Sequence, residues 1–373
     1  MGETNKKIKS LQAVRFIAFI IIFLVHTDAI NGSFGGVGVS IFLVLSGFVM
    51  TYAYWEKEMN YSIKGAIQFS INKIKKLYPL HIVTMLGVLV LMVPNVIKNA
   101  TCSSVMKLVN QVLANVLLLK AFIPREDIYF SLNGVSWYLS VCLFVYIIFP
   151  LIQNKIRYTS IDQAIKNICM LYVIQIAIVA SVFIISDVYK FNMEIISGVT
   201  YVSPIFRSID FLAGVNLCVV FKKNVHNLNA KVYTVWESIL VVATILSSII
   251  YLCIQSATNK SLLENIISRS AVMFLPISIA IVYLFAINKG LITKMMANRF
   301  FIYIGNISAY TFLIHTVVIR YLDAIVSHFT LSMGKLMNVV FAFVLTVTFS
   351  IMYKKMECFF KKTKLERNFL GNN

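Results

Sequence analysis

Charge is scarce in this chain, and acid is the scarcest part of it. Of 373 residues 13% are charged, and Asp plus Glu number 15 against 34 Lys plus Arg. Cysteine pairing is lacking as well. The six cysteines (Cys102, Cys142, Cys169, Cys218, Cys253, Cys358) show no paired spacing, and four of them lie in apolar segments. Buried in such segments, Cys acts as a small hydrophobe, which excludes a zinc site and a disulfide framework. No small-residue cleavage site follows the first apolar run, which argues against a signal peptide. There is no internal repeat, tandem or inverted.

What is present is apolar surface. Hydrophobic residues make up 59% of the chain, and mean hydropathy is +0.82. A soluble chain of this length would suggest two or three domains. Repeated apolar stretches near 20 residues instead specify an all-α, polytopic transmembrane helix bundle. One domain over 1–373 is expected, with spans within 9–354 and a basic tail at 355–373. About ten spans are read, at 11–30, 37–55, 77–97, 134–153, 167–187, 204–221, 235–254, 270–288, 301–325 and 336–353. The stretch 56–76 alternates Ile or Phe with Lys and reads as an amphipathic surface helix. The longest piece outside the spans is 98–134. Its apolar part is interrupted by Lys107, Asn110, Gln111 and Asn115, so it reads as amphipathic or re-entrant.

Net charge is +19, which in a soluble protein would suggest nucleic acid. Topology accounts for it here. With ten spans and a cytoplasmic N-terminus, the inner segments hold about 23 of the 34 basic residues and the outer ones about eight. Both termini are therefore expected in the cytoplasm. Membrane lipid is the expected surroundings, and nucleic acid is not an expected partner.

Two ionisable residues stand inside the first span, Arg15 and His26. Intramembrane ionisable groups are costly and face the protein interior. Eleven residues come within about 20° of three full helical turns, so both lie on one face, roughly 16 Å apart along the axis. His26 lies about 24 Å from the cytoplasmic start of its span, in the outer half of a core about 30 Å thick. His315 has the same depth in the ninth span and shares a face with Ser308 and Thr311.

Together the polar marks resemble a known family. Arg-x10-His in the first span is followed by GVGVSIFLVLSGF, KKLYPL, NGVSWYLS with YIIFP, FRSIDFLAG and GNISAYTFLIH. In this order, over nearly the whole chain, they resemble the integral-membrane acyltransferase-3 family, whose members O-acetylate cell-surface glycans and some smaller acceptors. Three departures bear on the acceptor. Cys142 stands where many lipopolysaccharide-modifying members carry Glu. Lys73, Lys75 and Lys76 replace an Arg-rich motif. No extracytoplasmic hydrolase-like domain follows the tenth span.

The resemblance implies acetyl-CoA as donor and a glycan hydroxyl, lipid-linked glycans included, as acceptor. No metal is expected. His26 would be the general base or an acyl-carrying nucleophile; the plainer alternative is a His capping its helix at the interface. Arg15 would line a cavity, or else snorkel as an anchor. Lys73, Lys75 and Lys76 would bind the donor's phosphates, or else act as positive-inside anchors. His315 belongs to the site or is a structural His. Asn133 and Trp137 would meet the acceptor, with a membrane-interface Trp as the alternative. Arg207 and Asp210 would do so too, or form a neutral structural pair. Ser46 and Gly47 read as helix packing. The expected location is the inner (plasma) membrane of a bacterium. The rival functions are a transporter or flippase using the same Arg and His, and a catalytically silent membrane partner. Oligomeric state is left open.

Overall fold

Helices account for most of the described residues in the computed structural model, which describes residues 8–59, 62–98, 101–225, 228–258, 260–330 and 333–370. Among these there is no strand. The basic flank at Lys6 and Lys7 and the last residues of the tail, 371–373, lie outside the described residues.

α1 (Leu11–His26) is shorter than the segment 11–30 read from sequence. Thr27 closes it by donating its hydroxyl to the Phe23 carbonyl, and Asp28 enters the left-handed region at φ 53°. Its 16 residues make about 24 Å, short of the roughly 30 Å hydrocarbon core. A 3-10 turn, Gly32–Phe34, held by the Asn31 side chain, leads into α2 (Gly35–Ala53). α3 (Ile63–Ile74), capped by Ser62, is the amphipathic surface helix, and α4 (Tyr78–Lys98) leaves it at a 58° bend.

α5 (Cys102–Val116) starts with a Thr101–Ser104 capping box. It exposes Val105, Met106, Val109 and Leu113 and buries Gln111 and Asn115, so this part of the loop is amphipathic, and its 15 residues are shorter than the helices long enough to cross. α6 (Glu126–Tyr129) follows. There Asp127 pairs with Arg125 at 3.0 Å and Lys107 at 3.2 Å. The hydrogen bond from Arg125, with help from Lys107, holds the Asp127 carboxyl below its ordinary range.

The remaining helices are α7 (Trp137–Ile156), α8 (Ile161–Tyr189), α9 (Met193–Ser197), α10 (Pro204–Lys223), α11 (Ala230–Ser256), α12 (Leu262–Ile267), α13 (Ser270–Ile287), α14 (Leu291–Met296), α15 (Arg299–His328) and α16 (Lys335–Leu370). A π-helical turn, Gly198–Val202, joins α9 to α10. Among the described residues eight helices are long and apolar enough to cross a membrane, fewer than the ten spans read from sequence. α1 is too short by that measure, and α4 qualifies only together with α3. All ten segments read from sequence nonetheless coincide with a helix.

α2 and α10 form the centre. A Cβ on Gly47 would stand 2.0 Å from the Phe211 carbonyl oxygen, and one on Gly214 would stand 1.9 Å from that of Val44. The two backbones touch at both places, the contact small residues allow between membrane helices. α8, α11 and α16 lie outside and turn rows such as Val235, Ile239, Val242 and Leu246 outward. In lipid such faces need no cover, because acyl chains are as apolar as they are.

Candidate functional site

The stripe on α1 runs Arg15, Phe19, Phe23, His26 and faces α15. The helices come close at Gly305, where a Cβ would lie 1.9 Å from the Gln12 carbonyl oxygen. His315, fully buried on α15, contacts Phe19, Phe23 and His26, with ring centroids 5.9, 6.3 and 5.1 Å away. The two histidines at matched depth are thus brought together. His315 Nδ1 lies 3.2 Å from the Thr311 carbonyl oxygen. A carbonyl only accepts, so Nδ1 carries the proton and a neutral His315 keeps its lone pair on Nε2. That Nε2 is buried and has no hydrogen-bond partner among the described residues.

His26 opens onto a cavity of about 570 Å³ at the C-terminal end of α1, the end read from sequence as outer. Trp137, Tyr201, Phe312, Thr316 and Arg320 line it, with Asp323 at its edge. The π-helical turn carries Tyr201 to the wall, where its ring meets Trp137 at 5.4 Å. π-turns are often found at such sites. Gly198 of that turn packs on Pro124, so the 98–134 segment helps to support the wall.

Arg15 opens onto a second cavity of about 150 Å³ nearer the N-terminal end of α1, the end read from sequence as inner. Ser46, Lys73, Tyr138, Cys142, Tyr146 and Ser308 share its wall. Arg15 has neither an ion pair nor a hydrogen bond among the described residues. Lys73 lies over the rings of Tyr54 and Phe69, at 4.7 and 5.1 Å. Lys75 and Lys76 are exposed and do not line the cavity. The three lysines read as one cluster are therefore divided, with Lys73 alone at the cavity.

The other polar residues read from sequence stand behind these walls. Arg207 and Asp210 pair at 3.0 Å, fully buried. Ser40 and Gln175 both donate to Asp210, and Arg207 Nε donates to the Tyr201 carbonyl at 2.6 Å. The Arg207 guanidinium lies 4.9 Å from the Tyr201 ring and 6.0 Å from Trp137, so the pair backs the aromatic wall. Asn133 is fully buried; it donates to Thr84 and the Leu313 carbonyl and accepts from Thr316. Beside it Lys120, also fully buried, contacts Asn115 Oδ1, the Ser131 and Asn133 carbonyls and Ser136 Oγ at 2.9 to 3.1 Å. That ammonium pins the 98–134 segment to the start of α7. No group of three or more His, Cys, Asp or Glu side chains is placed to hold a metal among the described residues.

An acyltransferase-domain family profile matches residues 8–354. The chain belongs to the acyltransferase-3 family. Family membership supports membrane acyltransferase activity. The acyltransferase MdmB of Streptomyces mycarofaciens is 27% identical over 165 residues. That stretch is 40% of this chain and 40% of that protein, so the chain spans less than half of this relative. No solved structure matches.

For an acyltransferase-3 member the notable additions are Arg320, Phe312 and Tyr201, which the sequence did not single out. Arg320 is an intramembrane cation, and the rule that drew attention to Arg15 applied equally to it. It too lacks an ion pair or hydrogen bond among the described residues. Phe312 and Tyr201 carried no signal, because an aromatic residue in an apolar helix is the commonest thing there.

Proposed function

We propose that the chain is a membrane O-acyltransferase. It moves an acetyl group from cytoplasmic acetyl-CoA to a hydroxyl of a cell-surface or lipid-linked glycan. The observation that carries this is the pair of cavities at the two ends of one α1 stripe, a cationic one at Arg15 and an imidazole one at His26. In this reading ten segments cross the membrane with both termini in the cytoplasm. Lys73 and Arg15 attract the donor's anionic head, as ammonium and guanidinium groups do with phosphate. The acceptor enters the outer cavity over Trp137 and Tyr201.

His26 removes the hydroxyl proton as the acceptor oxygen attacks the thioester carbonyl. The new C–O bond forms, the C–S bond breaks, and the proton passes from His26 to the departing CoA thiolate. Ester and free CoA thiol are the products. His315 holds the His26 ring in place.

The test is transfer from radiolabelled acetyl-CoA to surface glycans extracted from cells lacking the protein, using purified detergent-solubilised enzyme. His26→Ala and His26→Gln should each lose at least about 10²-fold in rate, the lower end of general-base catalysis. A His26→Ala protein that transfers at near the parent rate would sink the mechanism. Labelled glycan absent from the parent reaction would sink the acceptor class.

A further inference from the structure

Among the residues lining the two cavities, Phe312 is shared by both. It sits one helical turn from Ser308 in the inner wall and one turn from Thr316 in the outer wall. Its ring packs edge-on against Phe42 at 5.9 Å and Tyr138 at 5.3 Å, and against His315 at 6.0 Å. Phe42 and Tyr138 belong to the inner wall, and Trp137, the residue before Tyr138, to the outer. The three rings close a collar at the depth where the stripe passes from Arg15 to His26.

We propose that Phe312 is the partition between the two cavities and sets which acyl group reaches His26. The inference rests on the acyltransferase reading above. An acyl group delivered from the inner side must pass or displace this ring to meet a hydroxyl on the outer side. A small acyl group needs little displacement. A longer one needs the collar to open, and neighbouring Phe42 and Tyr138 leave little room to yield. The same ring keeps outer-side water from the thioester. Without it, water can take the place of the hydroxyl: the water oxygen bonds to the carbonyl carbon, the C–S bond breaks, one water proton passes to the departing thiolate and the other to solvent, and acetate and CoA thiol leave.

One methylene in an apolar pocket commonly discriminates by about 10- to 200-fold. Phe312→Ala should therefore lower the acetyl-CoA to hexanoyl-CoA preference in kcat/KM by at least tenfold, with the extracted glycans as acceptor. It should also raise acceptor-independent thioester cleavage. Phe312→Leu, which retains an apolar branch at the same depth, should fall between and covers the case of an alanine variant that does not fold.

A readout independent of any donor uses Cys142, which is buried on the inner wall. With the other five cysteines changed to serine, an impermeant thiol reagent applied from outside should label Cys142 at least tenfold faster in Phe312→Ala. Equal labelling with and without the phenyl ring would overturn the partition. A folded, active variant whose acetyl-to-hexanoyl preference stays within twofold of the parent would overturn the selectivity role alone. A parent protein that uses no acyl-CoA would overturn the proposed function and the selectivity role, while the labelling still decides the partition.

Discussion

The imidazoles of His26 and His315 lie 5.1 Å apart, centroid to centroid, on helices from opposite ends of the chain. His315 is locked by its bond to the Thr311 carbonyl, and His26 is open to the outer cavity. In the proposed mechanism the first ring holds and the second reacts.

Replacing His315 should separate the two roles. His315→Ala should cost about 10²-fold in kcat, the scale of a small misplacement of a catalytic group, with little change in KM for the donor. His315→Asn retains a donor for Thr311 but lacks the Nε2 lone pair. It should fold like the parent, stay impaired, and shift the pH profile of kcat. Full recovery in the Asn variant with an unchanged profile would reduce His315 to packing.

Lys73 should differ from its two neighbours. Lys73→Ala removes the lysine that lines the inner cavity and should raise KM for acetyl-CoA about tenfold, in line with the loss of one charge-assisted contact. Arg15→Lys should be partly impaired, because an ammonium lacks the planar fork. The double change Lys75→Ala and Lys76→Ala should alter KM by less than threefold and mainly reduce its salt dependence. Steady-state kinetics at two salt concentrations decide this, and equal effects from the single and the double variant would return all three lysines to one role.

The α2–α10 contact should tolerate no added methyl. Gly214→Ala places a Cβ against the Val44 carbonyl and should destabilise by about 1–3 kcal/mol, the usual cost of overpacking. Gly334→Ala, with open space around the new Cβ, is the control and should leave stability unchanged. Thermal unfolding in detergent compares the two, and equal midpoints would mean the helices shift apart without cost.

Lys120→Met should loosen the 98–134 segment, since Asn115, Ser131, Asn133 and Ser136 lose the donor they share. Each buried polar group left unpaired costs about 1–3 kcal/mol. Limited proteolysis at Arg125 should speed up, and Lys120→Arg should not rescue, because a planar guanidinium does not fit a site built around a point charge. Unchanged proteolysis in Lys120→Met would show that the segment is held elsewhere.

Much of the plan was legible because lipid makes sequence patterns severe. A cation or imidazole in an apolar run is costly, so Arg15, His26 and His315 stood out. Helical spacing then put the first two on one stripe and the histidines at one depth. Other features were beyond pattern. The end of α1 at His26 depends on Asp28 adopting a positive φ, which the apolar run through Ile30 concealed. Lys73 and Lys75 differ by two positions, yet only the fold tells which lines a cavity. The Lys120 network joins residues whose polarity looks like ordinary loop composition. Arg207 and Asp210 were legible as a pair, but their place behind Trp137 and Tyr201 required the π-turn.

The backbone contacts at Gly214 and Gly305 also carry a consequence for biosynthesis. Gly47 is made about 170 residues before the Gly214 region that completes the core with it, and Gln12 nearly 300 before Gly305. At 5–20 residues per second those waits are roughly 8–34 s and 15–60 s. In the proposed topology α1 would until then carry Arg15 and His26 into the membrane without the helices that surround them in the fold. Arg15, close to the start of α1, can reach the lipid headgroups in that interval, whereas His26 depends on α15, one of the last helices to emerge. The meeting of the two histidines is thus among the final events in making the protein, and a chain cut short before α15 would contain a complete α1 and no partner for His26.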